Sequence, residues 1–234
     1  MTTILPGGKL STRPLHFIWL CDCSASMGDG GKIQALNNAI RQAIPLMRDA
    51  ANDNPNAQIL VRAIAFSSGA QWHISQPTPV EHFDWEDLQA DGITDMGKAI
   101  SLLTEQLKVP PMTDRALPPV LVLISDGYPT DDFNDGFRKL MSEPWGQKAV
   151  KVAIAIGDDV DYDVLQKFIV HPELKPLRAN NPEQLVNQIK WVSTAVLKST
   201  SSPVSQSANS SNISTNVPIP TPPTVATDGV DDVW

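Results

Sequence analysis

The apolar positions of the chain fall into short unbroken runs separated by segments of helical period, and this alternation predicts the fold. Residues 17–21 (FIWLC), 120–124 (VLVLI) and 151–156 (KVAIAI) run into Asp22, Ser125-Asp126-Gly127 and Gly157-Asp158-Asp159. Runs of this length, bounded by turn residues, read as strands buried on both faces, as in parallel sheets. Between them Ile33, Leu36, Ile40, Ile44 and Met47 recur at helical spacing, as do Met96, Ile100, Leu103 and Leu107, and later Leu185, Ile189, Val192 and Val196. Each set predicts an amphipathic helix, and Pro45 predicts a kink or an early end in the first. Residues 58–66 predict a strand that carries Arg62 at an edge or buried end, with 70–75 its antiparallel partner through the Ser67-Ser68-Gly69 turn. Tyr162, Leu165, Phe168 and Ile169 outline a short helix, residues 174–179 a last strand, and Asn181-Pro182-Glu183 a capped start to the final helix. The sum is an α/β fold, doubly wound, with a mostly parallel sheet, one antiparallel edge strand and helices on both faces.

The pattern stops after Lys198. Residues 199–234 contain no Lys or Arg, are dominated by Ser, Thr, Pro and Asn, and offer little to bury, which predicts a disordered tail. The organisation is thus a leader over 1–14, one domain over 15–198 and the tail. Residues 228–234, DGVDDVW, differ from the rest of the tail in setting acids between valines before a tryptophan. They read either as a short docking motif or as an acidic solubilising end.

Composition narrows the function classes. The net charge of -8 opposes capture of a phosphate backbone, so no nucleic-acid partner is expected. No apolar run approaches the length of a membrane span. The segment before residue 22 resembles an export signal only superficially, being too short and interrupted by Asp22; a cytoplasmic protein is expected. The chain's two cysteines, Cys21 and Cys23, are too close for an ordinary disulfide and are expected to be buried free thiols. His73 and His82 lack a partner at ligand spacing, and Trp72 and Trp85 read as packing residues.

The candidate chemistry lies at the strand ends. In open α/β sheets the ligand sits beyond the carboxyl ends of the strands, and there Asp22, Ser24 and Ser26 present hard oxygen atoms at two-residue spacing. Such a donor set favours magnesium, manganese or calcium over zinc or copper, although a Ser-rich turn after a strand is also a common capping cluster. Thr94 after Asp91-Gly92-Ile93 begins a helix, and Asp126 ends a second buried strand.

The pieces DCSAS, Thr94 and SDG, in that order, resemble the von Willebrand factor A domain family over residues 15–197. That family's metal-ion-dependent adhesion site is built from D-x-S-x-S, a distant Thr and a distant Asp. The resemblance implies a Rossmann-like fold and a magnesium site, or a manganese or calcium one. Ser24, Ser26 and Thr94 would be its hydroxyl ligands, with Asp22 and Asp126 binding directly or through water. Ala25 stands where the family usually has Gly. Asp95 is expected to be a solvated acid at a helix start, and Asp131 and Asp132 to cap the helix that follows them, with a place around the metal as the lesser alternative for each.

Such a site is incomplete by design: a dication held by two carboxylates and neutral hydroxyls keeps a position for another molecule's acid. The expected function is therefore non-enzymatic binding of a protein partner that offers a carboxylate. The segment Asp126-Gly127-Tyr128-Pro129-Thr130-Asp131 resembles tellurite-resistance-type members, which are associated with Ser/Thr kinases and PP2C-type phosphatases. This implies a bacterial signalling or stress-response scaffold. An adaptor of an AAA+ ATPase is the alternative. A metal-dependent phosphohydrolase is disfavoured, since dehalogenase-like phosphatases need a second Asp where this chain has Ser24, and no GxxxxGK[ST] loop is present.

Overall fold

The strands begin where the apolar runs begin. In the computed structural model, which describes residues 12–201, 217–223 and 234, six strands form one sheet in the order β3-β2-β1-β4-β5-β6. They are β1 (Arg13–Asp22), β2 (Ala57–Ser67), β3 (Gly69–Pro79), β4 (Val120–Ser125), β5 (Val150–Ile156) and β6 (Leu177–Ala179). Every neighbouring pair is parallel except β2 and β3, which turn back on each other at Ser67 and Gly69. The expected mostly parallel sheet with an antiparallel edge is therefore present. Every residue of β4 and β5 is buried, because helices cover both faces.

Helix α1 (Lys32–Asn52) packs on α6 (Pro182–Trp191), and α2 (Met96–Gln106) on α3 (Phe133–Ser142). Shorter helices α4 (Pro144–Lys148), α5 (Tyr162–Ile169) and α7 (Leu197–Ser201) complete the layers, a π-helical turn over Val192–Val196 joining α6 to α7. The predicted core positions Leu36, Ile40, Met47, Ile100 and Leu103 are all buried without exposure. Each such side chain contributes about 2 kcal/mol on removal from water.

Three expectations are corrected. Pro45 does not end α1, which continues to Asn52. Pro45 is on the exposed side of α1, so the carbonyl it frees can reach water, while Ile44 and Met47 beside it are buried. Arg62 is 5% exposed in the middle of β2, not at an edge or end. Its guanidinium lies 3.7 Å over the Trp72 ring and donates to Gln106 Oε1 at 2.7 Å and to the Ser75 carbonyl. Finally, among the tail's described residues, Val217 is buried, Ile219 packs on the core, and Trp191 Nε1 donates to the Thr221 carbonyl at 3.1 Å. The sparse apolar residues of that polar stretch are what anchor it. The leader before residue 12, the stretch 202–216 and residues 224–233 lie outside the described residues.

The loops that follow the strands are tied by side chains to helices elsewhere. Asp132 caps its own helix α3, accepting from Asp135 N at 2.9 Å, as expected. Asp131 departs from the expected role. It accepts from Gly97 N and Lys98 N, both at 2.8 Å, and so caps α2 across the layer. The crossing is close enough that a Cβ on Gly97 would come 2.4 Å from the Asp132 carbonyl oxygen, and one on Gly136 2.4 Å from that of Gly97. Asp131→Ala removes the acceptor from both α2 amides and is expected to cost about 1–2 kcal/mol. A lower urea midpoint with an unchanged slope is the expected result, and a midpoint equal to that of the parent would contradict the cross-layer cap.

Candidate metal centre

The register of β1 on β4 pairs Cys21 with Ile124, so that the residues that follow, Asp22 on one strand and Ser125 and Asp126 on the other, emerge side by side. Asp22 is fully buried; one oxygen accepts from Ser24 N at 2.8 Å and the other from Ser125 Oγ at 2.5 Å. Ser24 Oγ lies 3.1 Å from Ser26 Oγ, which donates to Asp126 Oδ1 at 2.8 Å. The other Asp126 oxygen accepts from Lys32 Nζ, also at 2.8 Å. Ser24, Ser26 and Asp126 are thus linked through their side chains, and Asp22 joins them through the Ser24 amide and holds Ser125, the residue before Asp126.

Thr94 arrives from the opposite side. Its amide donates to Thr130 Oγ1 at 3.1 Å and its carbonyl accepts from Thr130 N at 2.9 Å, which clips the loop before α2 to the loop after β4. A methyl group placed on Gly127 would stand 3.8 Å from the Thr94 hydroxyl, so that hydroxyl borders the residue next to Asp126. Thr94 is only 6% exposed. The loop is further held by Ala25 N on the Gly92 carbonyl at 3.0 Å and by Asp91 N on the Cys23 carbonyl at 2.8 Å. Gly92 has φ +80°, and a side chain there would strike Ser68 Oγ at 2.5 Å, so the close approach needs glycine.

Asp95 is not the solvated acid expected at a helix start. It is 4% exposed and accepts from Gly69 N at 2.7 Å and Lys98 Nζ at 2.6 Å, while its own amide donates to the Ser67 carbonyl at 2.9 Å. The Lys98 contact holds its carboxyl below the ordinary range. Asp95 ties the β2–β3 turn to the Thr94 loop. Spacing alone does not single out Ser125, Lys32 or Thr130. A signal exists only for Ser125, which immediately precedes the strand-end Asp126.

The donors fit a hard cation: two carboxylates and three hydroxyls, with no nitrogen or sulfur except the ammonium of Lys32. Among the described residues, no three His, Cys, Asp or Glu gather as a metal cluster of their own, and no hydrogen bond engages the Thr94 hydroxyl. The Thr94 hydroxyl, open to a ligand, and the cation already drawn to Asp126 are what a site for magnesium, manganese or calcium would display. Cys21 and Cys23 are buried free thiols, as expected, with burial pushing Cys23 up to about 12. His73 bonds the Glu86 carbonyl and packs edge-on to Trp85, away from this constellation.

Burial pushes the Asp22 carboxyl up to about 6, against the downward pull of Ser125 and Ser24, with the Asp126 charge adding to the rise. A carboxyl raised on folding favours the fold while protonated, so this contribution is lost as pH rises from about 4 through 6 and amounts to about 3 kcal/mol. His16 opposes it: burial, then Arg62, lowers its imidazole to about 4, so its contribution is gained as pH rises through the same window. Without divalent cations the parent should therefore show little slope between pH 4 and 6. Asp22→Asn should make stability rise across that window in urea titrations. Parallel profiles for the two proteins would refute the raised Asp22.

No protein-family model and no curated protein matches the sequence. Solved structures do match its fold. The ArnB paralog VWA2 from Sulfolobus acidocaldarius aligns over 77% of this chain and 45% of its own, at 19% identity and a TM-score of 0.57. A von Willebrand factor type A protein from Catenulispora acidiphila aligns over 81% of this chain and 43% of its own, at 17% identity and a TM-score of 0.59. Proximal thread matrix protein 1 from the mussel byssus, in a structure with a zinc-occupied MIDAS motif, covers 82% of this chain and 49% of its own at 14% identity and a TM-score of 0.57. The chain spans less than half the length of each of these three. What they share with it is architecture: the chain has the Rossmann-like fold of von Willebrand factor A domains.

Proposed function

We propose that this protein is a non-catalytic, metal-dependent binding module. In this reading Asp22, Ser24, Ser26, Thr94 and Asp126 hold a magnesium, manganese or calcium ion that receives a carboxylate from a protein partner. The observation that carries it is the convergence of these oxygens from three separated loops, with the Thr94 hydroxyl unpaired among the described residues. The zinc reported in the MIDAS motif of the mussel structure supports a divalent ion here by analogy of fold. When bound, the ion supplies an electrophilic position for an acid. The chain's own part is to orient the hydroxyls, exclude water from Asp22 and present the open side.

The rim favours a protein over a small anion. Ile93 and Tyr128 are 51% and 60% exposed, and they stand beside Thr94 and two residues after Asp126. Two large apolar side chains left in water around a polar centre are what a partner's surface would cover. No group at the centre is placed as a nucleophile with a base: Ser24 and Ser26 bond each other and Asp126, and no histidine reaches them. No described helix is long and apolar enough to cross a membrane. A cytoplasmic scaffold working with a Ser/Thr kinase and a PP2C-type phosphatase, as in tellurite-resistance-type systems, is the finer proposal and rests on the DGYPTD resemblance. Part of that segment is structural here, since Thr130 clips Thr94 and Asp131 caps α2. The identity of the partner is therefore best read from neighbouring kinase and phosphatase genes.

Two outcomes test the metal and the rim separately. Lys32→Met removes the cation that now holds Asp126 and should tighten magnesium binding by roughly fivefold to tenfold in calorimetry, as expected for the loss of about 1 kcal/mol of charge repulsion. Unchanged or weaker binding would mean that the ion does not share Asp126 with Lys32. The double change Ile93→Ser and Tyr128→Ser should leave magnesium affinity intact while abolishing magnesium-dependent capture of partners. Retained, chelator-sensitive capture by the double variant would place the protein contact elsewhere.

A further inference from the structure

Trp234 is separated from the turn after β1 by most of the chain, yet its indole N–H donates to the Gly30 carbonyl at 2.9 Å. On its other side it rests against Gly157, the first residue after β5: a Cβ built on that glycine would stand 3.6 Å from Trp234 Cβ. Both glycines have positive φ, +59° at Gly30 and +75° at Gly157, so each backbone is turned in a way that side-chain-bearing residues rarely adopt. The half-buried indole also packs against the core. The polypeptide leading to it is fastened earlier as well, by the buried Val217, by Ser199 Oγ on the Pro218 carbonyl, and by Trp191 on the Thr221 carbonyl.

The location gives this contact its meaning. Gly30 belongs to the turn Ala25–Gly31, which begins directly after Ser24, contains Ser26 and leads into Lys32. The indole is therefore fastened to the same turn that carries Ser26 and leads into Lys32. We infer that Gly30 and Gly157 form a tryptophan-accepting notch at the rim of the candidate centre, filled in cis by Trp234, so that the chain carries its own competitor for this end of the sheet. An occupant on the same chain meets its seat at an effective concentration set by the tether, not by the bulk protein concentration. A partner that needs the same turn must therefore displace the indole. Filling of the notch requires no metal; only the consequence for a carboxylate-bearing partner rests on the function proposed above.

The test uses the full chain and a peptide. A fluorescein-labelled peptide of residues 224–234 with an amidated end is titrated, in chelator, with the parent and with the full-length Trp234→Ala variant. Fluorescence polarisation should show the variant binding the peptide at least tenfold more tightly than the parent, whose notch is already filled. A peptide with alanine in place of the tryptophan should bind neither. Equal binding of the tryptophan peptide by parent and variant, or no binding by the variant, overturns the notch. Repeating the titration with magnesium and with Asp22→Asn separates the two ideas. A metal-independent peptide site leaves the notch standing whether or not the metal reading survives.

Discussion

Everything at the candidate centre of this molecule depends on two carboxylates being delivered side by side into a place with little water. The delivery is a matter of backbone register: β1 and β4 are paired so that Cys21 faces Ile124, and the next residues on the two strands are Asp22 and Ser125, then Asp126. Neither acid can turn away, because both strands are buried along this stretch. Each is satisfied instead by donors on the other strand, on the turn or at the start of α1: Ser125 and Ser24 for Asp22, Ser26 and Lys32 for Asp126. Desolvation of a carboxylate without such donors would cost several kcal/mol. The rise of Asp22 to about 6 is what remains of that cost after the donors are counted.

A site that gathers three loops also needs those loops held in place before a ligand arrives. Here the holding is done by two acids and a threonine that spacing would assign to ordinary duties. Asp95 joins the β2–β3 turn to the Thr94 loop, Thr130 fastens that loop to the end of β4, and Asp131 reaches across to the first amides of α2. Gly97 and Gly136 let α2 and α3 come close enough for the last of these contacts. The hydroxyl of Thr94 is thereby positioned by its own backbone, and its oxygen is left uncommitted among the described residues.

This division explains what can be read from the sequence in advance. The buried strands, the helices with a repeating apolar stripe and the D-x-S-x-S turn are local patterns: periodicity and spacing carry them, and the sheet places them as expected. Asp95, Asp131 and Lys32 are illegible because their partners are set by packing between elements far apart in the chain; nothing near Asp131 in the sequence points to Gly97. Pro45 misleads for the opposite reason, since the local rule holds but the tertiary packing of Ile44 and Met47 outweighs one lost hydrogen bond. Average composition hides the anchors of the tail, because Val217, Ile219 and Trp234 act singly.

Lys32 gives the centre a property that the hydroxyl and carboxylate motif alone would lack. A dication facing only Asp22 and Asp126 is neutralised by them and exerts a weak pull on a further acid. Lys32 Nζ lies 2.8 Å from Asp126, and in the proposed metal-bound state its ammonium leaves the assembly with one positive charge in excess. That excess disfavours entry of the ion and favours arrival of an external carboxylate. On the function proposed above, the lysine trades metal affinity for affinity toward a partner's carboxylate, and the two are coupled: the acid binds well where the ion is present, and the ion is retained where the acid is present. The chain as a whole is acidic, with a net charge of -8, so a local positive centre is also the place where an anionic group meets least opposition. A module of the proposed kind holds metal and partner together, and releases them together.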